Sequence, residues 1–326
     1  MTAAMALGGL VLIGEDLFCP ISDGRKICYR SYGSSLGEPL VLITGLSLQL
    51  IYWPPNLIEE LVLQGYQVLV LDNRDVGRSS QSSVRPPSRW QILLRRPAPD
   101  AYDLGDMADD VLQLLDHLDI SSVHLVGMSM GGMIAQTIAA RYPERVRSLT
   151  SIFSTTGARN VGQPSPLVRL SMLRKPSTSR QARVRDYLRS AQYIGSTRFA
   201  MNLDAIRQYA EQAWDRAPGN AHVGVARQIG AIIKSGDRTC ELKRITTPTL
   251  VIHGDRDPLV ATSGGYATAA AIAQARFVLL EGLGHFIAAS AVPVLLDLIV
   301  SHTRPAAGRH TAEVRLPVDS SVREVS

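Results

Sequence analysis

Short uninterrupted apolar runs alternate along this chain with stretches whose apolar residues recur every three or four positions. The two periods predict strands and helices in turn. Leu40–Ile43 (LVLI), Tyr66–Leu71 (YQVLVL), Val123–Val126, Leu149–Phe153, Thr249–Ile252 (TLVI) and Arg276–Leu280 (RFVLL) read as buried strands. Leu104, Met107, Val111, Leu114, Leu115 and Leu118 share one helical face, and Asp103 stands where a capping side chain belongs. Met133–Arg141 and about 288–301 read as further helices. Strands alternating with helices predict an α/β fold, a mainly parallel sheet covered by helices on both faces.

The rhythm breaks once. From about Thr155 to Leu242 the pattern is helical and Arg-rich, punctuated by Pro164, Pro166, Pro176, Gly195, Pro218 and Gly219. With 326 residues there is room for one large domain carrying a substantial insertion. The expected organisation is therefore a core formed by 15–154 and 242–303, with a helical insertion over 155–241. An N-terminal extension (1–14) and a mobile, proline-broken tail (304–326) complete it.

Charge and composition narrow the partners. The net charge is +5, and no zinc-finger or RNP pattern turns it toward nucleic acid. Between Thr155 and Cys240 stand fourteen Lys and Arg against five Asp and Glu. That excess reads as a solvated helical face, or as a basic rim attracting anionic substrates. No apolar run reaches the roughly 20 residues of a membrane span. Met1–Gly14 is apolar but lacks the Lys or Arg that opens a secretory signal, so a cytoplasmic protein is expected. Cys19, Cys28 and Cys240 form no CxxC pair, which predicts packed thiols rather than disulfides or a zinc site.

The candidate chemistry centres on Gly127-Met128-Ser129-Met130-Gly131, a G-x-S-x-G between a strand and a helix. A serine on so tight a turn sits in strained backbone, and its neighbours must lack side chains for the chain to double back. The turn lifts the hydroxyl above the sheet edge and aims the helix N-terminus at the centre where negative charge develops. A serine hydroxyl needs a base, itself oriented by an acid, and in this arrangement both follow it in the order acid, then histidine. Of seven histidines, His124 precedes the serine within a strand. His117 and His302 belong to helices, His222 to the insertion and His310 to the tail. His285 stands in a loop after the last strand (GLGHF) and is the candidate base.

For the acid, His253-Gly254-Asp255-Arg256-Asp257-Pro258 offers two aspartates, and Ser154–Arg159 offers none. Pro258 fixes the turn beyond Asp257 and favours it, with His253 a loop residue beside the acid. Backbone N–H groups of Met130 and Leu46 are the candidate oxyanion donors, Leu46 following Thr44-Gly45 after the LVLI strand. Trp53 and Met128 are candidate substrate-binding residues, although core packing would account for them as well.

GMSMGGMIAQ (Gly127–Gln136), DNRDVGRSS (Asp72–Ser80), TPTLVIHGDRDPLV (Thr247–Val260) and GLGH (Gly282–His285) together resemble the α/β-hydrolase superfamily. TGLSLQLIYWP (Thr44–Pro54) and SLTSIFSTTG (Ser148–Gly157) resemble, within it, the bacterial esterases grouped with aclacinomycin methylesterase. The resemblance implies the α/β-hydrolase fold and a triad of Ser129, Asp257 and His285, with Asp257 the third residue after Gly254. It implies Leu46 and Met130 as oxyanion donors, a small-molecule ester substrate, and no cofactor or metal. It also makes the insertion a cap that sets specificity, and Asp72, Arg74 and Asp75 a loop-bracing network rather than catalysts. Gln81–Pro99 is longer and more basic than this pattern, an extra loop near the pocket mouth. A perhydrolase or haloperoxidase, a C–C or lactone hydrolase, and a ligand receptor with a retained triad would share the same residues.

Overall fold

The computed structural model describes residues 14–172, 177–219, 221–304 and 322–325. Among the described residues nine strands form one sheet: β1 (Leu17–Pro20), β2 (Lys26–Tyr32), β3 (Glu38–Ile43), β4 (Tyr66–Leu71), β5 (Val123–Met128), β6 (Val146–Ile152), β7 (Thr249–Gly254), β8 (Arg276–Leu280) and β9 (Val322–Val325). Their spatial order is β1-β2-β4-β3-β5-β6-β7-β8-β9, parallel from β4 to β8 and antiparallel at both margins. The expected N-terminal extension lies, up to residue 13, outside the described residues, as does most of the expected tail. Val322–Val325, within that tail, pair with Leu280–Phe277 as the last strand.

The helices are α1 (Pro55–Leu63), α2 (Arg89–Leu93), α3 (Leu104–His117), α4 (Met130–Arg141), α5 (Pro166–Met172), α6 (Arg180–Ile194), α7 (Leu203–Arg216), α8 (Ala221–Ser235), α9 (Thr239–Leu242), α10 (Ser263–Ala271) and α11 (Val292–Thr303). Every residue of β4, β5 and β7 is buried, as strands covered on both faces require. Alternation splits them between two cores. Val41, Ile43, Leu69, Leu71 and Leu125 pack toward α3 and α4, whereas Leu40, Leu42, Val68, Val70 and Val126 pack toward α1 and α11. Asp103 caps α3 as its position predicts, accepting from the N–H of Gly105 (2.7 Å) and Asp106 (3.1 Å). The Asp106 carboxylate accepts from Asp103 N–H in return (2.7 Å). Such a reciprocal cap contributes about 1 kcal/mol.

Helices α5 to α9 fill the interval between β6 and β7 where the strand rhythm stops. They are not one detached layer. Helix α8 packs on α3, and its Ala231 is fully buried in the core beneath. Three insertion arginines are anchors rather than solvated charges. Arg216 pairs with Asp16 (2.9 Å) and Asp72 (3.0 Å), and Arg227 with Asp75 (2.9 Å). Arg238, completely enclosed, donates to Gln136 Oε1 (2.9 Å) and to the carbonyls of Met133 (3.2 Å) and Thr155 (2.6 Å). Burial pushes its guanidinium down to about 10. The basic excess of this segment therefore includes the charges that fasten it down. Cys19 and Cys28 are packed thiols as expected, but Cys240 is exposed, because the short helix α9 turns it outward.

His302, in the last turn of α11, lies 3.1 Å from Leu149 O and 3.2 Å from Pro248 O through Nε2. Burial pushes it down to about 4 from an ordinary 6.5. The unfolded chain therefore takes up a proton that the folded chain does not. His302 supports stability fully above about pH 6.5, and that support is lost as pH falls toward 4. The urea unfolding midpoint is expected to drop between pH 7 and pH 5, and His302→Gln to flatten the drop. An equally steep drop in the variant would place the effect elsewhere.

Candidate active site

The parallel strands all end at one sheet edge, the place where folds of this class assemble their sites. At the end of β5, Ser129 adopts φ 54° and ψ −120°, a conformation rare for a residue with a side chain. Ser129 N–H donates to Ile152 O (2.8 Å), and Ser129 O accepts from Ser154 Oγ (2.9 Å) and Met133 N–H (3.1 Å). These bonds hold the turn. Its glycines are obligatory by contact. A Cβ on Gly127 would stand 2.3 Å from Gly131 O, and one on Gly131 would stand 2.2 Å from Ile43 O. Both obstacles are backbone and cannot swing aside.

Ser129 Oγ lies 2.9 Å from His285 Nε2, and His285 Nδ1 lies 2.6 Å from Asp257 Oδ2. All three residues are buried, Ser129 keeping 9% exposure. Asp257 Oδ1 accepts from the N–H groups of Leu259 (2.9 Å) and Val260 (2.8 Å). Burial works against ionisation of Asp257, but the imidazoles of His285 and His253 outweigh it and hold the carboxyl well below the usual carboxylate range. An ionised Asp257 only accepts, so His285 Nδ1 carries the proton and Nε2 is free to accept from Ser129. His253, at the end of β7, points Nε2 at Val260 O (2.8 Å) and stands 3.4 Å from Asp257 Oδ2. It is a second imidazole beside the Asp257 carboxylate, as its position suggested, but it belongs to strand β7 and not to the loop expected from the sequence. Asp255 lies apart, its Oδ1 accepting from Gly282 N–H (2.6 Å).

The loop after β3 adjoins Ser129: a Cβ on Gly45 would stand 3.1 Å from Ser129 Cβ. This loop carries Leu46 and is braced on several sides. Thr44 Oγ1 donates to Leu48 O (3.0 Å), Asn73 Nδ2 donates to Thr44 O (3.1 Å), and Ser47 N–H donates to Gln228 Oε1 (3.0 Å). Gln228, fully buried on α8, also donates through Nε2 to Arg74 O (2.9 Å). Met130 opens α4, where no intrahelical acceptor exists for its N–H, and its side chain is buried in the core.

Asp72, Arg74 and Asp75 form the brace their pattern implied. Asp72 accepts from Leu50 N–H (2.7 Å) and Arg78 N–H (2.9 Å), Arg74 grips Asp110 (2.6 and 2.8 Å), and Asp75 accepts from Tyr102 Oη (2.8 Å). Trp53 and Met128 are each 1% exposed and sit in the core below the site, so neither presents a face to a ligand. Tyr52, of the same core, begins an aromatic cluster that runs out to the insertion. Tyr52 meets Phe286 (5.7 Å between centroids) and Tyr209 (5.6 Å), and Tyr209 meets Tyr187 of α6 (5.2 Å).

A further set of contacts, invisible to local periodicity, holds His285. His285 N–H donates to Ile194 O (2.7 Å), Gly284 N–H to Ser196 Oγ (3.1 Å), and Thr197 N–H to Gly282 O (2.8 Å). A Cβ on Gly284 would stand 2.2 Å from Gly195 O. The connection between α6 and α7 thus clamps the histidine loop.

The family model described as alpha/beta hydrolase fold matches residues 38–291. A rhodomycin D methylesterase from Streptomyces peucetius is 28% identical, covering 87% of this chain and 97% of its own. A non-heme chloroperoxidase from Kitasatospora aureofaciens is also 28% identical, over 83% of this chain and 92% of its own. The crystal structure of a hydrolase from Pseudomonas aeruginosa superposes with TM-score 0.64 at 25% identity, covering 90% of this chain and 99% of that one. The chain belongs to the α/β-hydrolase fold family.

Proposed function

We propose that this protein is a serine-dependent carboxylic ester hydrolase working through an acyl-enzyme. The contact between Ser129 Oγ and His285 Nε2, at 2.9 Å, carries the reading. His285 takes the Ser129 proton as Oγ attacks the ester carbonyl, and Asp257 stabilises the imidazolium that forms. The oxyanion is received by the N–H groups of Leu46 and Met130. His285 then gives its proton to the departing alcohol, leaving the acyl group on Ser129. It next removes a proton from water, which attacks the acyl carbonyl and releases the acid with Ser129 restored. The insertion serves as the cap, and the Tyr52, Phe286, Tyr209 and Tyr187 cluster supports an ester with a substantial apolar acyl or alcohol part.

The chloroperoxidase relative favours one second reading on the same triad, in which hydrogen peroxide replaces water at the acyl-enzyme and a peracid leaves. A panel of methyl and p-nitrophenyl esters, run with and without peroxide and with peptide mapping of a fluorophosphonate adduct, separates the two. Turnover in water with label on Ser129 is expected. Neither turnover nor label would sink both readings.

Gln228 gives a finer test of the oxyanion loop. Gln228→Ala leaves Ser47 N–H and Arg74 O without their partner. We expect kcat to fall about 10- to 100-fold, as small displacements of reacting groups do, with KM changing little. Loss of the two buried bonds also costs about 1–3 kcal/mol in denaturant unfolding. A KM effect with kcat intact would place Gln228 in substrate binding instead.

A further inference from the structure

The segment Ser88–Arg96 forms a projection beside α8 in which Gln91, Ile92 and Arg95 are only half-buried and the rest is exposed. Its helix, α2, opens on a reciprocal cap: Ser88 Oγ accepts from Gln91 N–H (3.2 Å), and Gln91 Oε1 accepts from Ser88 N–H (2.8 Å). It closes with Arg95 in left-handed backbone (φ 51°) and Arg96 N–H donating to Gln91 O (2.8 Å). Local bonds therefore hold the knob in shape, yet none of the helix's five residues is buried. Trp90, Leu93 and Leu94 are 72%, 66% and 62% exposed. The same stretch of chain carries Arg85, Arg89, Arg95 and Arg96, none of which has an ion-pair partner among the described residues.

The base of the projection is firmly seated. Asp75 Oδ1 accepts from Ser82 N–H (2.8 Å), Arg227 Nε donates to Val84 O (2.5 Å), and Pro87 is buried. The apolar side chains are thus presented outward on a fixed support, and little ordering entropy is lost when they meet a partner.

We propose that this projection docks the protein on an anionic phospholipid surface. Trp90, Leu93 and Leu94 enter the boundary between headgroups and acyl chains, and the four arginines bind lipid phosphates. A tryptophan with leucines, interspersed along the chain with arginines, is the composition of interfacial segments. Three exposed side chains cover far less than the roughly 800 Å² per partner of a stable protein interface, whereas a bilayer needs no matching surface. Each basic residue near such a surface adds attraction that salt weakens. Docking here would set α8, the helix carrying Gln228, close to the lipid. The inference is independent of the reaction proposed above.

Vesicle sedimentation tests it directly. The full chain is expected to sediment with vesicles of equal parts phosphatidylcholine and phosphatidylglycerol, and to stay in solution with phosphatidylcholine alone. Trp90→Ala/Leu93→Ser/Leu94→Ser should abolish sedimentation without moving the thermal unfolding midpoint, since these side chains are exposed. Each Arg→Gln change should lower the partition coefficient about fivefold at low salt. No sedimentation of the wild type, equal partitioning of the triple variant, or binding to polyglutamate in preference to vesicles would overturn the proposal, the last in favour of an acidic protein partner.

Discussion

Ser129→Ala is expected to lower kcat for p-nitrophenyl butyrate by about 10⁴- to 10⁶-fold, because the variant has no group to form the acyl-enzyme. What remains is the catalysis that substrate binding and the oxyanion donors supply. The fold should survive. Alanine keeps the Cβ, so the strain at φ 54° is unchanged, and the backbone bonds to Ile152, Ser154 and Met133 do not involve Oγ. His285→Ala should cause a loss of similar size. The double variant should lose little more than either single one, since a nucleophile and its base act as a unit. Fully multiplicative losses, read from single-turnover rates, would show that the two residues do not share a step.

Asp257→Asn is expected to lower kcat about 10⁴-fold while Asp255→Asn stays within a few fold of wild type. The amide cannot turn to suit the imidazole. Leu259 N–H and Val260 N–H both need an acceptor at the Oδ1 position, so the carbonyl must sit there. The NH₂ then faces His285 Nδ1 and forces its proton onto Nε2, where it opposes the Ser129 hydroxyl. It also confronts His253 Nε2, which donates to Val260 O. At position 255 the oxygen that accepts from Gly282 N–H survives the change. Steady-state kinetics of the two variants side by side decide the acid, and the reverse ranking would move that role to Asp255.

Much of this architecture was legible from local pattern. The expected runs Tyr66–Leu71 and Arg276–Leu280 coincide with β4 and β8, because a strand covered on both faces is apolar over most of its length. The helix after the nucleophile begins at Met130, three residues before its apolar pattern becomes visible, because the glycines that permit the tight turn hide the start. Other elements gave weaker signals. β1 ends on a proline, α1 opens on one, and α10 begins Ser-Gly-Gly. Strand β2 buries Ile27, Cys28 and Tyr29 in succession but mixes them with Lys26, Arg30 and Ser31, so it falls below the threshold of a continuous apolar run. The three side chains of the site were readable because each sits at a strand end with its own local signature. What holds them was not. Gln228 reaches Ser47 across 181 positions, and His285 reaches Ile194 across 91. Arg216 and Arg227 look like solvent-facing charge until Asp72 and Asp75 stand opposite them.

The clamp on the histidine loop also limits how the insertion can be exchanged. A graft replacing everything between β6 and β7 would remove Ile194 O and Ser196 Oγ, leaving His285 N–H and Gly284 N–H without acceptors. Specificity transplants from other members of the fold family should therefore be cut around 194–198. The rest of the insertion can then diverge while the backbone support of His285 stays native. In this chain, the freedom to acquire new substrates is bounded by five residues that touch the imidazole's own peptide segment.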